Sequence, residues 1–125
     1  MAFAGMNYMA IVAAAIAGWL IGAALRWPFW RERPNKVLPL VLGFTASLIM
    51  AWMLAGVLGH LGPGQVTLRN GVISAAFLWF GFVLTSTVVN NTSAGRTWGQ
   101  TAIDVGHWLV VLLAMGAVVG GIGLR

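Results

Sequence analysis

The stretch TWGQTAIDVGHWLVVLLAMGAVVGGIG, residues 97–123, decides how the rest of the chain is read. It opens with Thr97, Trp98, Gly99, Gln100, the pattern of a capping box in which the threonine hydroxyl and the glutamine side chain satisfy backbone donors reciprocally. The run that follows is apolar for more than the ~20 residues a helix needs to cross about 30 Å of hydrocarbon. Within it Asp104 and His107 are the strongly polar side chains, three positions apart and therefore on one helix face.

Three more apolar stretches lie upstream, separated by charge, Gly, Pro and Asn. The first is expected over about 8–25, with Asn7 as its N-cap and Arg26, Trp27 and Pro28 as its end. The second is expected over about 37–59, with Pro39 in its first turn and His60, Gly62, Pro63 and Gly64 closing it. The third is expected over about 71–89, behind an Asn70 cap and ending at Asn90 and Asn91. With the fourth, about 98–123, the expected architecture is all-α: a polytopic four-transmembrane-helix bundle forming one transmembrane domain over residues 1–125.

Composition agrees. Of 125 residues, 60% are hydrophobic and 7% charged, against about 25% charged in soluble domains, so too few polar groups exist to cover a small soluble particle. The formal net charge of +5 does not point to nucleic acid, because the bases are scattered and form no dense patch. It is better read as topogenic. The loop between spans one and two carries Arg26, Arg31, Arg33 and Lys36, and the third loop Arg96, giving 4 + 1 = 5 bases on one side. Arg69 and Arg125 give 1 + 1 = 2 on the other, so both termini are expected outside. Trp27, Trp30 and Trp98 sit at the edges of the basic loops as interfacial anchors, whereas Phe3 and Tyr8 are the aromatic candidates at the opposite face. No Lys or Arg precedes the first apolar run, which argues for a permanent helix over a cleaved signal peptide. The chain has no cysteine, which removes disulfides and thiol chemistry.

Small residues at four-residue spacing let membrane helices approach closely. Span one has Ala10, Ala14, Gly18 and Gly22; span two has Gly43, Ser47, Ala51, Ala55 and Gly59; span four has Gly116 and Gly120, with Ala117 and Gly121 beside them. Span three shows no comparable stripe, and its Phe77, Trp79, Phe80 and Phe82 are expected to fill grooves between helices or to face lipid. Some stripe is left to meet a second copy or a larger partner.

The in-membrane polarity gathers near one face: Thr85, Ser86, Thr87, Asn90, Asn91, Arg96, Asp104 and His107. A carboxylate at the centre of a membrane helix costs about 2.5–3.5 kcal/mol and less toward an end, so Asp104 needs compensation. One reading pairs it with Arg96 or the Asn90 and Asn91 pair, locking two helices together. The other makes Asp104 and His107 a proton- or ligand-handling pair. A metal site would need three or more ligands, and His60 is predicted at the opposite face. Close carboxylate pairs, a nucleophile turn and a phosphate loop are all lacking, so neither catalysis nor a cofactor is expected.

Gly95, Arg96, Thr97, Trp98, then Ile103, Asp104, Val105, Gly106, His107, Trp108, with Met115, Gly116, Ala117 and Gly120, resemble the C-terminal half of domain-of-unknown-function family 1761, an uncharacterised bacterial family. More loosely, Asn7, Tyr8, Gly22 to Leu25, Trp27 and Pro28 resemble its N-terminal half, with Arg26 standing where the family favours an aromatic. The resemblance covers nearly the whole chain. It implies a four-helix membrane protein of the bacterial cytoplasmic membrane and brings no activity with it.

Two functions follow as expectations. The first is a non-catalytic membrane protein, in contact with lipids, that acts by association as a homo-oligomer or an accessory subunit of a larger complex. The second is a small proton-coupled carrier or channel lined by Asp104, His107 and Asn90. A lipid-modifying enzyme would have to rest on His107 alone.

Overall fold

The computed structural model describes residues 7–30, 34–62 and 64–123, without the side chains of Phe29 and Trp30. Arg31, Glu32, Arg33 and Arg125 of the charge count, Phe3, and the Trp30 indole thus lie outside the described residues. The elements are α1 (Tyr8–Trp30), α2 (Val37–Gly59), α3 (Leu68–Leu78), a π-helical turn (Trp79–Leu84), α4 (Thr85–Ser93) and α5 (Trp98–Ile122). The π turn joins α3 and α4 into one span, and four stretches are long and apolar enough to cross a membrane: Tyr8–Pro28, Val37–Gly59, Leu68–Ser93 and Trp98–Ile122. No strand occurs among the described residues.

Local chemistry sets most boundaries. Asn7 Oδ1 accepts from the Ala10 amide at 3.2 Å and starts α1. Asn35 Oδ1 accepts from the amides of Val37 and Leu38 at the start of α2, a role the Lys36 side chain at the cap position does not take. For α5 both halves of the Thr97 and Gln100 capping box are formed.

Three expected ends are corrected. The first helix does not stop at residue 25; it continues through Pro28 to Trp30. Carrying the helix on places Arg26 one turn beyond Gly22, where it bonds to α5, and these bonds offset the backbone hydrogen bond that Pro28 forgoes. The third span begins three residues before Asn70's expected first turn, because the Thr67 hydroxyl is the cap and accepts from the Asn70 amide at 3.1 Å. Asn70 instead donates to the Gln65 carbonyl at 2.7 Å. The same span runs past Asn90 and Asn91 to Ser93. There Gly95, at φ +74°, lets its amide bond the Thr92 carbonyl and the Arg96 amide bond the Asn91 carbonyl. This is a Schellman stop, whose left-handed position favours glycine.

The helices run alternately up and down, with α1 and α3 on opposite sides of the bundle and α5 touching every other element. The tightest approach is between α3 and α5. A Cβ on Gly71 would strike the Gly116 carbonyl, one on Gly116 the Gly71 carbonyl, and one on Gly120 the Thr67 carbonyl. Sequence spacing gave span three no stripe, yet Gly71 and Ala75 are both buried against α5 and act as one. Elsewhere the small residues face inward: Ala10, Ala14, Gly18 and Gly22 on α1, Ser47, Ala51 and Ala55 on α2, and Gly116 and Gly120 on α5 are all buried. Leu54, Leu58, Val111, Met115 and Val119 fill the space between them. Of the aromatics in the middle of the third span, Phe77, Phe80 and Phe82 are exposed and face outward, whereas Trp79 is half-buried and packs inward against the core.

Candidate functional site

The turn between α4 and α5 brings the polar residues together. It spans residues 94–97, so the last turns of α4 and the first turns of α5 lie side by side at the end of the bundle that also holds the close of α1. Asp104 sits seven residues past the Thr97 cap, about 10 Å along the helix from its start. Its side chain is 15% exposed.

Asp104 is met from three elements. Asn91 Nδ2 donates to Oδ2 at 2.9 Å, and Arg96 Nη2 donates to the same oxygen at 3.1 Å. Arg26 Nη2 approaches Oδ1 at 3.5 Å from α1. Asn91 Nδ2 also lies 3.2 Å from Thr101 Oγ1, whose hydroxyl donates to the Thr97 carbonyl at 3.0 Å. One carboxylate thereby ties the first, third and fourth spans. Among the described residues no buried side-chain nitrogen or oxygen lacks a hydrogen-bond partner, the condition under which polar groups are tolerated away from water.

His107 lies one turn deeper and is buried. Arg26 Nη2 is 3.4 Å from its Nδ1. A guanidinium has only donors, so in this contact Nδ1 is the acceptor and the ring proton resides on Nε2. The ring packs edge-on against Trp108, with centroids 4.8 Å apart, and Nε2 faces Gly22 of α1 where a Cβ would stand only 3.0 Å away. His107 is thus a neutral buttress for Arg26.

Of the sequence candidates, the geometry joins Asn91, Arg96, Asp104 and His107, and leaves Asn90 exposed. Thr85 and Ser86 donate to the carbonyls of Gly81 and Phe82 in their own span, bonds that reach back from α4 to the π turn. His60 bonds the Gly56 carbonyl at 2.8 Å, at the far end of the bundle. Among the described residues no three His, Cys, Asp or Glu side chains gather as a metal would require. Trp27 and Trp98 are exposed at the helix ends nearest the cluster.

Sequence reading missed Arg26 and Thr101. The signal for Arg26 was present, because the spacing Ala10, Ala14, Gly18, Gly22 arrives at it after one more step of four. Pro28, two residues further on, is a stop signal that assigns Arg26 to the loop.

Arg26 and His107 also border a cleft of about 300 Å³ between α1, α2 and α5. Its deeper walls include Gly18, Trp19, Gly43 and Val111. The Trp19 indole is fixed there by donating Nε1–H to the Leu40 carbonyl at 2.9 Å and by an edge-on contact with Phe44.

Compared with known families, residues 9–120 match a family model described as a protein of unknown function, DUF1761. No curated protein and no solved structure matches.

Proposed function

The chain belongs to the DUF1761 family, and from its four apolar helices and the occupied polar cluster we propose that it acts without catalysis, by helix association. It serves as a homo-oligomer or as an accessory subunit of a larger complex in a bacterial cytoplasmic membrane. The observation that carries this reading is the imbalance among equally apolar spans. In the most apolar window of the third span 6% of residues are buried inside the bundle, against 33% in the first and fourth. Phe77, Phe80 and Phe82 project from it. Most of the small-residue positions are buried inside the bundle, with Gly43 lining a cleft and Gly59 exposed at a helix end, so association uses this aromatic face.

The lack of cysteine makes the test clean. Phe77→Cys or Phe80→Cys, treated with a bismaleimide in native membranes, is expected to give a dimer of the chain or one discrete heavier adduct. Monomer alone at both positions contradicts association. Orientation belongs to the same proposal: Arg26, Lys36 and Arg96 share one end of the bundle, and the positive-inside bias directs that end to the cytoplasm and both termini outside.

A carrier or channel reading is favoured by one observation, the cleft that Arg26 and His107 border. Against it, each of these side chains already serves as the other's partner, and Asp104 is held from three directions. Proteoliposome flux that Asp104→Asn abolishes at unchanged thermal stability would establish transport.

A further inference from the structure

We propose that the cleft between α1, α2 and α5 seats one acyl chain of an anionic phospholipid, with the lipid phosphate held at Arg26. The inference does not depend on helix association. Three observations carry it. First, the cluster holds two guanidinium groups and one carboxylate, with His107 accepting from Arg26 as a neutral ring, so it retains a charge of +1. Second, Arg26 meets both Asp104 and His107 through Nη2; a guanidinium has five N–H donors in a fork suited to phosphate, and this one is 27% exposed. Third, the cleft descends from Arg26 to Gly18 on α1 and from Pro39 to Ser47 on α2, in each case eight residues or about 12 Å toward the middle of the bundle. It is open along Leu42, which is 57% exposed.

The chemistry of the walls changes with depth in the way a lipid changes. At the mouth stands Arg26. Below it Trp19, Gly43 and Val111 present an apolar surface to a chain. A neutral apolar ligand would leave the +1 charge of the cluster without an anion, and free phosphate would leave the apolar depth unfilled. Basic pockets between membrane helices on the cytoplasmic side suit anionic headgroups, each basic side chain contributing about 1 kcal/mol, or roughly fivefold in affinity.

Native mass spectrometry of the full chain, titrated with phosphatidylglycerol or phosphatidylcholine of identical acyl chains, tests this. The expected result is phosphatidylglycerol bound about fivefold more tightly, with the preference kept in Arg26→Lys and lost in Arg26→Gln. Because Arg26→Gln also disturbs Asp104, a second variant leaves the cluster intact. A Cβ on Gly43 would stand 3.6 Å from Trp19 Cδ1, an ordinary contact from which a longer side chain grows into the cleft. Gly43→Leu is expected to lose retained phosphatidylglycerol at unchanged melting temperature. Equal retention of the two lipids by the natural chain, or undiminished phosphatidylglycerol binding by Gly43→Leu, overturns the proposal.

Discussion

Arg26 of α1 reaches across the bundle to Asp104 of α5, Nη2 to Oδ1 at 3.5 Å, and the same nitrogen stands 3.4 Å from His107 Nδ1. Asp104 shares its other oxygen between Arg96 and Asn91. The two arginines are not equivalent. Arg96 bridges neighbouring helices already joined by a short turn and is 45% exposed, whereas Arg26 is more enclosed and ties a helix that no local connection holds to α5. Removing Arg26 therefore costs more: Arg26→Gln is expected to lower stability by about 1–3 kcal/mol and Arg96→Gln by about 0.2–1 kcal/mol. Thermal unfolding in one mild detergent ranks them, and an equal or reversed order contradicts the assignment.

The approach of α3 to α5 leaves no room for a methyl group. Gly71→Ala and Gly116→Ala each drive a Cβ into a backbone carbonyl of the facing helix, and carbonyls of packed helices cannot turn aside. Each is expected to cost at least about 1–3 kcal/mol. Gly81→Ala is the control, since its Cβ would meet nothing within 4 Å. Melting temperatures should fall for the first two and hold for the third.

Gly95 carries the turn that returns the chain toward Asp104. At φ +74° an alanine is strained by about 1–2 kcal/mol, whereas asparagine tolerates the left-handed region better. Gly95→Ala should destabilise more than Gly95→Asn in the same unfolding assay. Equal losses would show that the helix end does not depend on the Schellman geometry.

The indole of Trp79 donates Nε1–H to the Val105 carbonyl at 2.8 Å, linking the π turn to α5. Trp79→Phe keeps most of the ring and deletes the donor, with an expected loss of about 1 kcal/mol. A loss much larger would assign the residue's contribution to ring volume instead.

The proposed orientation has its own readout. Single cysteines at Asn35 and Gln65 lie in loops at opposite ends of the bundle. In intact cells an impermeant maleimide is expected to label Gln65→Cys and spare Asn35→Cys. Labelling of Asn35→Cys alone reverses the orientation.

Much of the architecture was legible because lipid imposes simple rules. A helix must satisfy its backbone internally over some 20 residues, and α2 accordingly begins and ends where its apolar run does. The Thr97 capping box and the Asn7 cap are local chemistry within three residues and were equally readable. What escaped depended on tertiary partners. Pro28 is a fair stop signal until Arg26 is held by α5, and Gly71 is an ordinary glycine until Gly116 lies against it. Gly95 carried a readable stop signal, yet the polarity of Asn90 and Asn91 drew the boundary too early. The site was half visible: one membrane end collects Asn91, Arg96, Asp104 and His107 from adjacent segments, while Arg26 arrives from a distant one.

A charge exchange tests most directly whether Arg26 and Asp104 hold the helices together. The unfolding temperature is measured for Arg26→Asp, for Asp104→Arg and for the double exchange, in one detergent. Each single variant, by placing like charges together, is expected to unfold well below the natural protein, and the double exchange to recover a large part of the loss. A double variant as unstable as the sum of the two singles, or a stable Asp104→Arg, would show that this pair does not hold the helices together.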